Sequence, residues 1–374
     1  MKYYIIAGEA SGDLHGSNLI KELRRQDPQA EVRCWGGDLM AAAGGEVVKH
    51  YRDLAFMGFA EVVRNLPAIL RNMKFCKEDV ARYRPDVLVL VDYPGFNLRI
   101  AKWAKEEGLK VVYYISPTVW AWKEGRIKTI RRVVDKMLVI LPFEEPFYAQ
   151  RNYPVEYVGH PLVQVVNEFL VSHGGEAEPP KNLVALLPGS RKQEINTILP
   201  IMLETARACP QYQFVVAKAP GLDDDFYRPY LQPYSNVRTV NNETYALLAQ
   251  ASAALVASGT ATLETALFGV PQVVCYKTST ITYEIARRLL KIQYISLVNL
   301  IMDKPVVTEL IQHDLTVENV VRELRAIMEE GPRRQGMLHD YEALRHLLQQ
   351  GGNASAKAAR SIVRFLQPSA APTA

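Results

Sequence analysis

The run Val87-Leu88-Val89-Leu90-Val91 is apolar at every position and ends on Asp92-Tyr93-Pro94-Gly95. A run without polar alternation fits a strand covered on both faces, the kind found in parallel sheets. Pro94 and Gly95 stop it, which leaves the Asp92 carboxylate at the carboxyl end of the strand. Working outward, short apolar runs at residues 3–7, 32–35, 111–115, 137–141 and 156–158 alternate with helix-length amphipathic segments. In the segment 14–25, Leu19, Ile20 and Leu23 make one face. Strand–helix alternation of this kind builds a parallel sheet with helices on both sides. Gly, Pro and acidic residues break the pattern over residues 172–180. It restarts with strands at 183–187, 213–217, 237–240, 253–257 and 272–276. The expected fold is α/β, with two Rossmann-like domains whose parallel sheets face across a cleft. The domains are residues 1–170 and 171–345, and the segment 346–374 returns to the first domain or is exchanged with a partner. Ligands of such sheets sit outside the carboxyl ends of the strands, so those loops carry the argument.

The chain has 374 residues, enough for two domains of ordinary size. With 48% hydrophobic and 22% charged residues it has the balance of a globular protein, not a disordered one. The net charge of +4 is too small to argue for nucleic acid. No apolar run approaches the ~20 residues that cross a bilayer. The apolar start at residues 3–7 is too short for a signal peptide, so a cytoplasmic location is expected. Cys34, Cys76, Cys209 and Cys275 are scattered singly, and the histidines are isolated in sequence. Neither disulfide nor metal site is indicated, and no cofactor is expected.

Four loops carry chemistry. Leu187-Pro188-Gly189-Ser190-Arg191 leaves a buried strand for a helix that starts near Lys192. Free N–H groups at a helix start attract phosphate, and Gly189 removes a side chain that would block the approach. Arg191 supplies a fork suited to a diphosphate. The spacing is not that of a Walker loop, and an ordinary capped turn fits this loop equally well. Ser258-Gly259-Thr260-Ala261-Thr262-Leu263-Glu264 is a second such turn, with Glu264 one helical turn past Thr260, placed to accept from ribose hydroxyls. Two phosphate-type turns in one domain favour a nucleotide diphosphate. Gly8-Glu9-Ala10-Ser11-Gly12-Asp13-Leu14-His15-Gly16 lacks the Gly-x-Gly-x-x-Gly spacing, and its acids would repel pyrophosphate. Ser11, Gly12 and Asp13 suit an acceptor-side loop, although Asp13 capping its helix fits as well. Asp92 is the general-base candidate, with His15 and Glu9 behind it. Trp120 and Trp122 pack on a sugar or on the core.

In order along the chain, these blocks resemble the lipid A disaccharide synthase family of GT-B type glycosyltransferases. Asp92-Tyr93-Pro94-Gly95-Phe96-Asn97, Ser116-Pro117-Thr118-Val119-Trp120-Ala121-Trp122, Val158-Gly159-His160-Pro161 and Leu297-Val298-Asn299-Leu300 carry the resemblance, with the opening and phosphate loops. The resemblance implies transfer of 2,3-diacylglucosamine from its UDP derivative to 2,3-diacylglucosamine 1-phosphate. The products are the β-1,6-linked disaccharide 1-phosphate and UDP, within Gram-negative outer-membrane lipid synthesis. It also implies functional positions at Asp92, Arg191, Glu264 and Asn299, and a dimer with exchanged C-terminal segments. Gly95 departs from members that carry a second acid there, which leaves Asp92 alone at this loop.

Acylated substrates imply contact with the cytoplasmic face of the inner membrane. The segment 56–77 suits it, because Phe59, Val63, Leu66, Ile69, Leu70 and Met73 are interleaved with Arg64, Arg71, Lys74 and Lys77. An apolar face of this kind also fits a core. Two rivals remain at this stage: a UDP-sugar 2-epimerase of the same fold, and a non-catalytic nucleotide-sugar-binding protein.

Overall fold

The computed structural model describes residues 1–54, 66–122, 125–173, 182–289 and 292–367. The chain divides into two units: Met1–Pro161 with Gln349–Ala374, and Leu162–Leu348. Each is built on one parallel sheet. In the first unit the strands are β1 (Lys2–Ala7), β2 (Glu31–Gly36), β3 (Glu46–His50), β4 (Val87–Val91), β5 (Val111–Tyr114), β6 (Lys136–Val139) and β7 (Glu156–Tyr157). They lie in the order β3-β2-β1-β4-β5-β6-β7. In the second unit they are β8 (Leu183–Leu187), β9 (Gln213–Lys218), β10 (Val237–Asn241), β11 (Ala253–Ala257), β12 (Gln272–Tyr276) and β13 (Thr308–Ile311). Their order is β10-β9-β8-β11-β12-β13.

The apolar runs explain the central strands. Every residue of β4, β8 and β11 is buried, as expected where helices cover both faces. Two edge strands, β3 and β13, have no counterpart in the sequence reading. Glu46-Val47-Val48-Lys49-His50 has no fully buried residue, and Thr308-Glu309-Leu310-Ile311 has one. A strand paired on one side and half covered needs no apolar run, so the sequence does not announce it.

The strand order places the site. In the first sheet β2 and β3 extend to one side of β1, while β4 to β7 extend to the other. The direction reverses between β1 and β4, which pair in parallel from Tyr3↔Val87 to Ala7↔Val91. In the second sheet it reverses between the paired strands β8 and β11. A crevice opens at each reversal, at the carboxyl ends, because the following loops turn away to opposite faces. Both pairs of sequence-predicted loops leave these four strands.

Two features brace the first unit. The helix Ala354–Leu366 packs along the helix Ala10–Gln26, and Asn353 caps it by accepting from the Ala356 N–H at 2.9 Å. A polar knot sits at β1 and β2. Arg33 grips the buried Asp79 with two bonds of 2.8 Å, the Tyr4 hydroxyl donates to Asp79 at 2.7 Å, and Trp35 donates to Tyr4 at 3.0 Å. The knot fixes the rotation of the helix Leu66–Tyr83 about its axis, since Asp79 lies on its inward face.

Candidate active site

The turn after β4 is strained. Asp92 and Tyr93 lie in the left-handed region at φ +45° and +49°, and Ile115, just past β5, is there too at +66°. Each such residue costs about 1–3 kcal/mol, and strain of this kind gathers at functional sites. Gly8 makes room for the turn. A Cβ on it would lie 2.3 Å from the Tyr93 ring, so only glycine lets that ring lie against the end of β1. Asn97, fully buried, donates to the Asp92 carbonyl at 2.8 Å and lies 3.3 Å from the Val91 carbonyl. The Tyr113 hydroxyl donates to the same Asp92 carbonyl at 2.6 Å.

Burial, and then the Glu9 carboxylate, push the Asp92 carboxyl up to about 7. A base whose pKa matches the working pH is the effective kind. His15 competes poorly. Burial holds its imidazole down to about 4, and the nearby His160 down to about 3, so its neutral form is a weak base. Glu9 sits half-buried at the start of the helix Ala10–Gln26, where it faces Asp92. Gly95 is exposed, and a Cβ there would meet nothing within 4 Å.

The acceptor-side loop needs one correction. Asp13 is buried and accepts from the Gly37, Leu39 and Met40 N–H groups at 2.7, 3.1 and 3.0 Å. It caps the helix Asp38–Ala42, not its own, and both its oxygens are taken. Ser11 is exposed and Gly12 buried. A second acid escaped the sequence reading. Glu144 is buried, accepting from Ser116 Oγ at 2.8 Å and from the Ile140 and Leu141 N–H groups at 3.2 and 3.0 Å. Desolvation pushes it up to about 7. It ties the block that starts at Ser116 to the end of β6, and its only sequence signal was a position shortly after a predicted strand. In that block the half-buried Trp120 packs edge-on against Phe143, centroids 5.0 Å apart. The side chain of Trp122 lies outside the described residues.

The loop after β8 differs in kind. Gly189 has φ +107°, and a Cβ on it would lie 2.7 Å from a Glu194 carboxylate oxygen. Ser190, Arg191 and Lys192 are exposed. The helix Lys192–Ala208 begins directly after Arg191, and no side chain caps it. Arg191 makes one long ion pair with Glu194, at 3.4 Å. After β11, the helix Thr260–Leu267 also starts without a side-chain cap, and Gly259 meets nothing within 4 Å of a Cβ. Thr260 is exposed and Ser258 half-buried, its hydroxyl donating to the Ile295 carbonyl at 3.0 Å. Glu264 accepts from the Tyr245 hydroxyl at 2.7 Å, and desolvation raises its pKa.

Asn299 is the second correction. It is buried and its amide is spent inside the protein. It donates to the Val307 carbonyl and to Glu309, both at 2.9 Å, and accepts from the Val307 N–H at 2.9 Å. It holds the helix Leu297–Met302 to the segment before β13, where a direct ligand contact was expected.

Two uncapped helix starts beside one exposed arginine, at a topological switch, have the chemistry of an anion site. A half-buried acid near neutrality, at the other switch, has the chemistry of a base. A family profile described as Lipid-A-disaccharide synthetase matches residues 3–363. The chain belongs to that family. It is 39% identical to the lipid-A-disaccharide synthase of Koribacter versatilis over 98% of this chain and 99% of that one. It is 41% identical to the enzyme of Syntrophus aciditrophicus over 96% of both. Solved structures share the fold alone. A kitacinnamycin glycosyltransferase aligns with TM-score 0.69 at 15% identity, covering 98% of this chain and 99% of that one. The UDP-GlcNAc 2-epimerase of Neisseria meningitidis, bound to UDP-GlcNAc, aligns at 0.66 and 13%, with the same coverage. As a member of that family the chain is a glycosyltransferase that uses a UDP-sugar donor and a sugar-phosphate acceptor, and the epimerase reading gives way.

Proposed function

We propose that Asp92 is the general base of this synthase and that the loops after β8 and β11 hold the departing UDP. The observation that carries the reading is the contrast between a half-buried, desolvated carboxyl of pKa about 7 at one switch point and uncapped, exposed helix starts at the other. The oxygen of the acceptor 6-hydroxyl attacks the anomeric carbon of UDP-2,3-diacylglucosamine, and its proton passes to Asp92. The bond from that carbon to the diphosphate breaks and UDP leaves, inverting the centre through a transition state of oxocarbenium character. Charge growing on the diphosphate is met by two helix N-termini and Arg191. Glu264 takes the ribose hydroxyls. Incubation with UDP-2,3-diacylglucosamine and 2,3-diacylglucosamine 1-phosphate should give a disaccharide 1-phosphate by mass spectrometry. An epimerised donor or unchanged substrates would overturn the reading.

The acyl chains call for a membrane surface, which we assign to the helix Leu66–Tyr83. Its inward face holds Cys76, Asp79 and Val80, and Met73 packs on the same core, so Met73 leaves the membrane-facing set. Leu70 and Phe75 are 57% and 42% exposed beside the exposed Arg71 and Lys74, and Ile69 is half-buried. Phe59 and Val63, and the side chain of Leu66, lie outside the described residues. No helix among the described residues is long and apolar enough to cross a membrane; it is the acylated substrates and this exposed apolar and basic surface that support a peripheral place on the cytoplasmic face. Reversing the charges of Arg71 and Lys74 should release it from anionic liposomes, and undiminished binding would remove this surface. A homodimer with exchanged C-terminal segments would pass the contact of helix Ala354–Leu366 to a partner; light scattering of the purified protein decides that.

A further inference from the structure

The Asp92–Tyr93 turn is gripped by two side chains to which the reaction gives no role. Asn97 places Nδ2 2.8, 3.3 and 3.4 Å from the carbonyls of Asp92, Val91 and Ile6. These are the carboxyl ends of β4 and β1, the two strands that flank the switch point. The other end of the amide, Oδ1, is buried and accepts no hydrogen bond from the described residues. Turning the amide over would satisfy nothing, because it would set that oxygen against three carbonyl oxygens. A fully buried amide with one end unpaired is uncommon and asks for a reason. Here the reason is that three acceptors converge on one donor. Tyr113, from the neighbouring strand β5, closes the grip with its hydroxyl on the Asp92 carbonyl at 2.6 Å.

We propose that Asn97 and Tyr113 are positioning residues, which hold the Asp92–Tyr93 turn in its left-handed form and so fix the Asp92 carboxyl for proton transfer. The proposal rests on the reading of Asp92 as base. Neither residue touches the carboxyl; both act through the backbone that carries it. The ionisable groups around Asp92 are Glu9 and Tyr93 on the two switch-point loops and Tyr113 on β5, with Arg126 acting on Tyr113 from the helix Arg126–Val133. Once the grip is lost the turn relaxes toward ordinary backbone, and the carboxyl gains water and moves from Glu9. Its affinity for a proton then falls.

Tyr113→Phe keeps the ring and removes the hydroxyl that donates to the Asp92 carbonyl; Asn97→Ala removes the other half of the grip. Each is expected to lower kcat about tenfold or more, with KM for the donor within about twofold. The acid limb of the pH–rate profile should move down by about one pH unit. A purely structural role would lower activity in proportion to the folded fraction, measured by circular dichroism, and leave that limb in place. The carboxyl is also titrated directly by carbon-13 NMR, assigned by difference against Asp92→Asn. A midpoint lowered in both variants supports the grip, and a midpoint unmoved in both overturns it. If Asp92→Asn keeps full turnover, the base reading falls, while the titration still judges the grip.

Discussion

The two switch points share a topology and differ in almost everything else. Between β1 and β4 the functional group is an acid, desolvated, facing a second acid and set on left-handed backbone. Between β8 and β11 the groups are backbone N–H donors, hydroxyls and a cation, largely exposed. Strand order decides where a ligand can sit, and the residues on the loops decide which ligand. On the proposed reading, burial serves proton transfer, because desolvation is what brings a carboxyl near neutrality. Exposure serves diphosphate binding on the same reading, since helix starts and an arginine already favour an anion and need no shift.

The largest test of this contrast is Asp92→Asn, expected to cut kcat by about 10²- to 10⁴-fold while UDP binding by calorimetry stays put. Retained turnover would remove the base from the first switch point. In the wild type, turnover should rise with pH through about 7 as Asp92 ionises. The same residue makes a stability prediction. Its carboxyl lies above its unfolded value, so the folded state holds the proton longer and stability falls as pH rises from about 3.8 to about 7. Asp92→Asn should therefore raise Tm at pH 8 and not at pH 3; a loss at pH 8 would mean the carboxylate stabilises the fold.

Next is Arg191→Ala. Charged hydrogen bonds contribute about 1.5–3 kcal/mol, so UDP should bind roughly 10- to 100-fold more weakly with the proton chemistry intact. Unchanged affinity would dissolve the contrast from the other side. Paired glycine substitutions sharpen it. Gly8→Ala meets the Tyr93 ring and should lose about 1–3 kcal/mol of stability together with turnover. Gly259→Ala meets nothing and should leave Tm almost unchanged while weakening UDP. The opposite pattern would show that the rigid and open sides are reversed. The smallest effect expected is that of EDTA, which should leave the rate unchanged, given the proposal that helix ends and Arg191 meet the charge on the leaving diphosphate. Activity lost to EDTA and restored by magnesium would overturn that.

Much of this was legible in the chain. The VLVLV run, the Pro94-Gly95 stop and the two phosphate-type turns gave the parallel sheets and all four loops, since an uninterrupted apolar strand and a glycine turn are local facts. The loops follow strands that are far apart in sequence, and their meeting at two reversals of strand order is a property of the sheet. What failed was the assignment of side chains that have two possible partners. Asp13 and Asn299 have the chemistry of ligand contacts, yet Asp13 caps the helix Asp38–Ala42 and Asn299 is used up on Val307 and Glu309. Glu144 and the grip of Asn97 and Tyr113 were invisible for the same reason: a carboxyl or an amide declares its type in the sequence, but its partners come from other strands.

The sequence by itself determined the family, the sheet type and the polarity of each loop, because these depend on residue order and hydropathy period. Only the tertiary structure decided that Asp92 is held near neutrality and that Arg191 stays exposed with one long ion pair to Glu194. Desolvation, a facing Glu9 and a left-handed turn are set by what surrounds a residue in space, and the order of residues along the chain does not contain them.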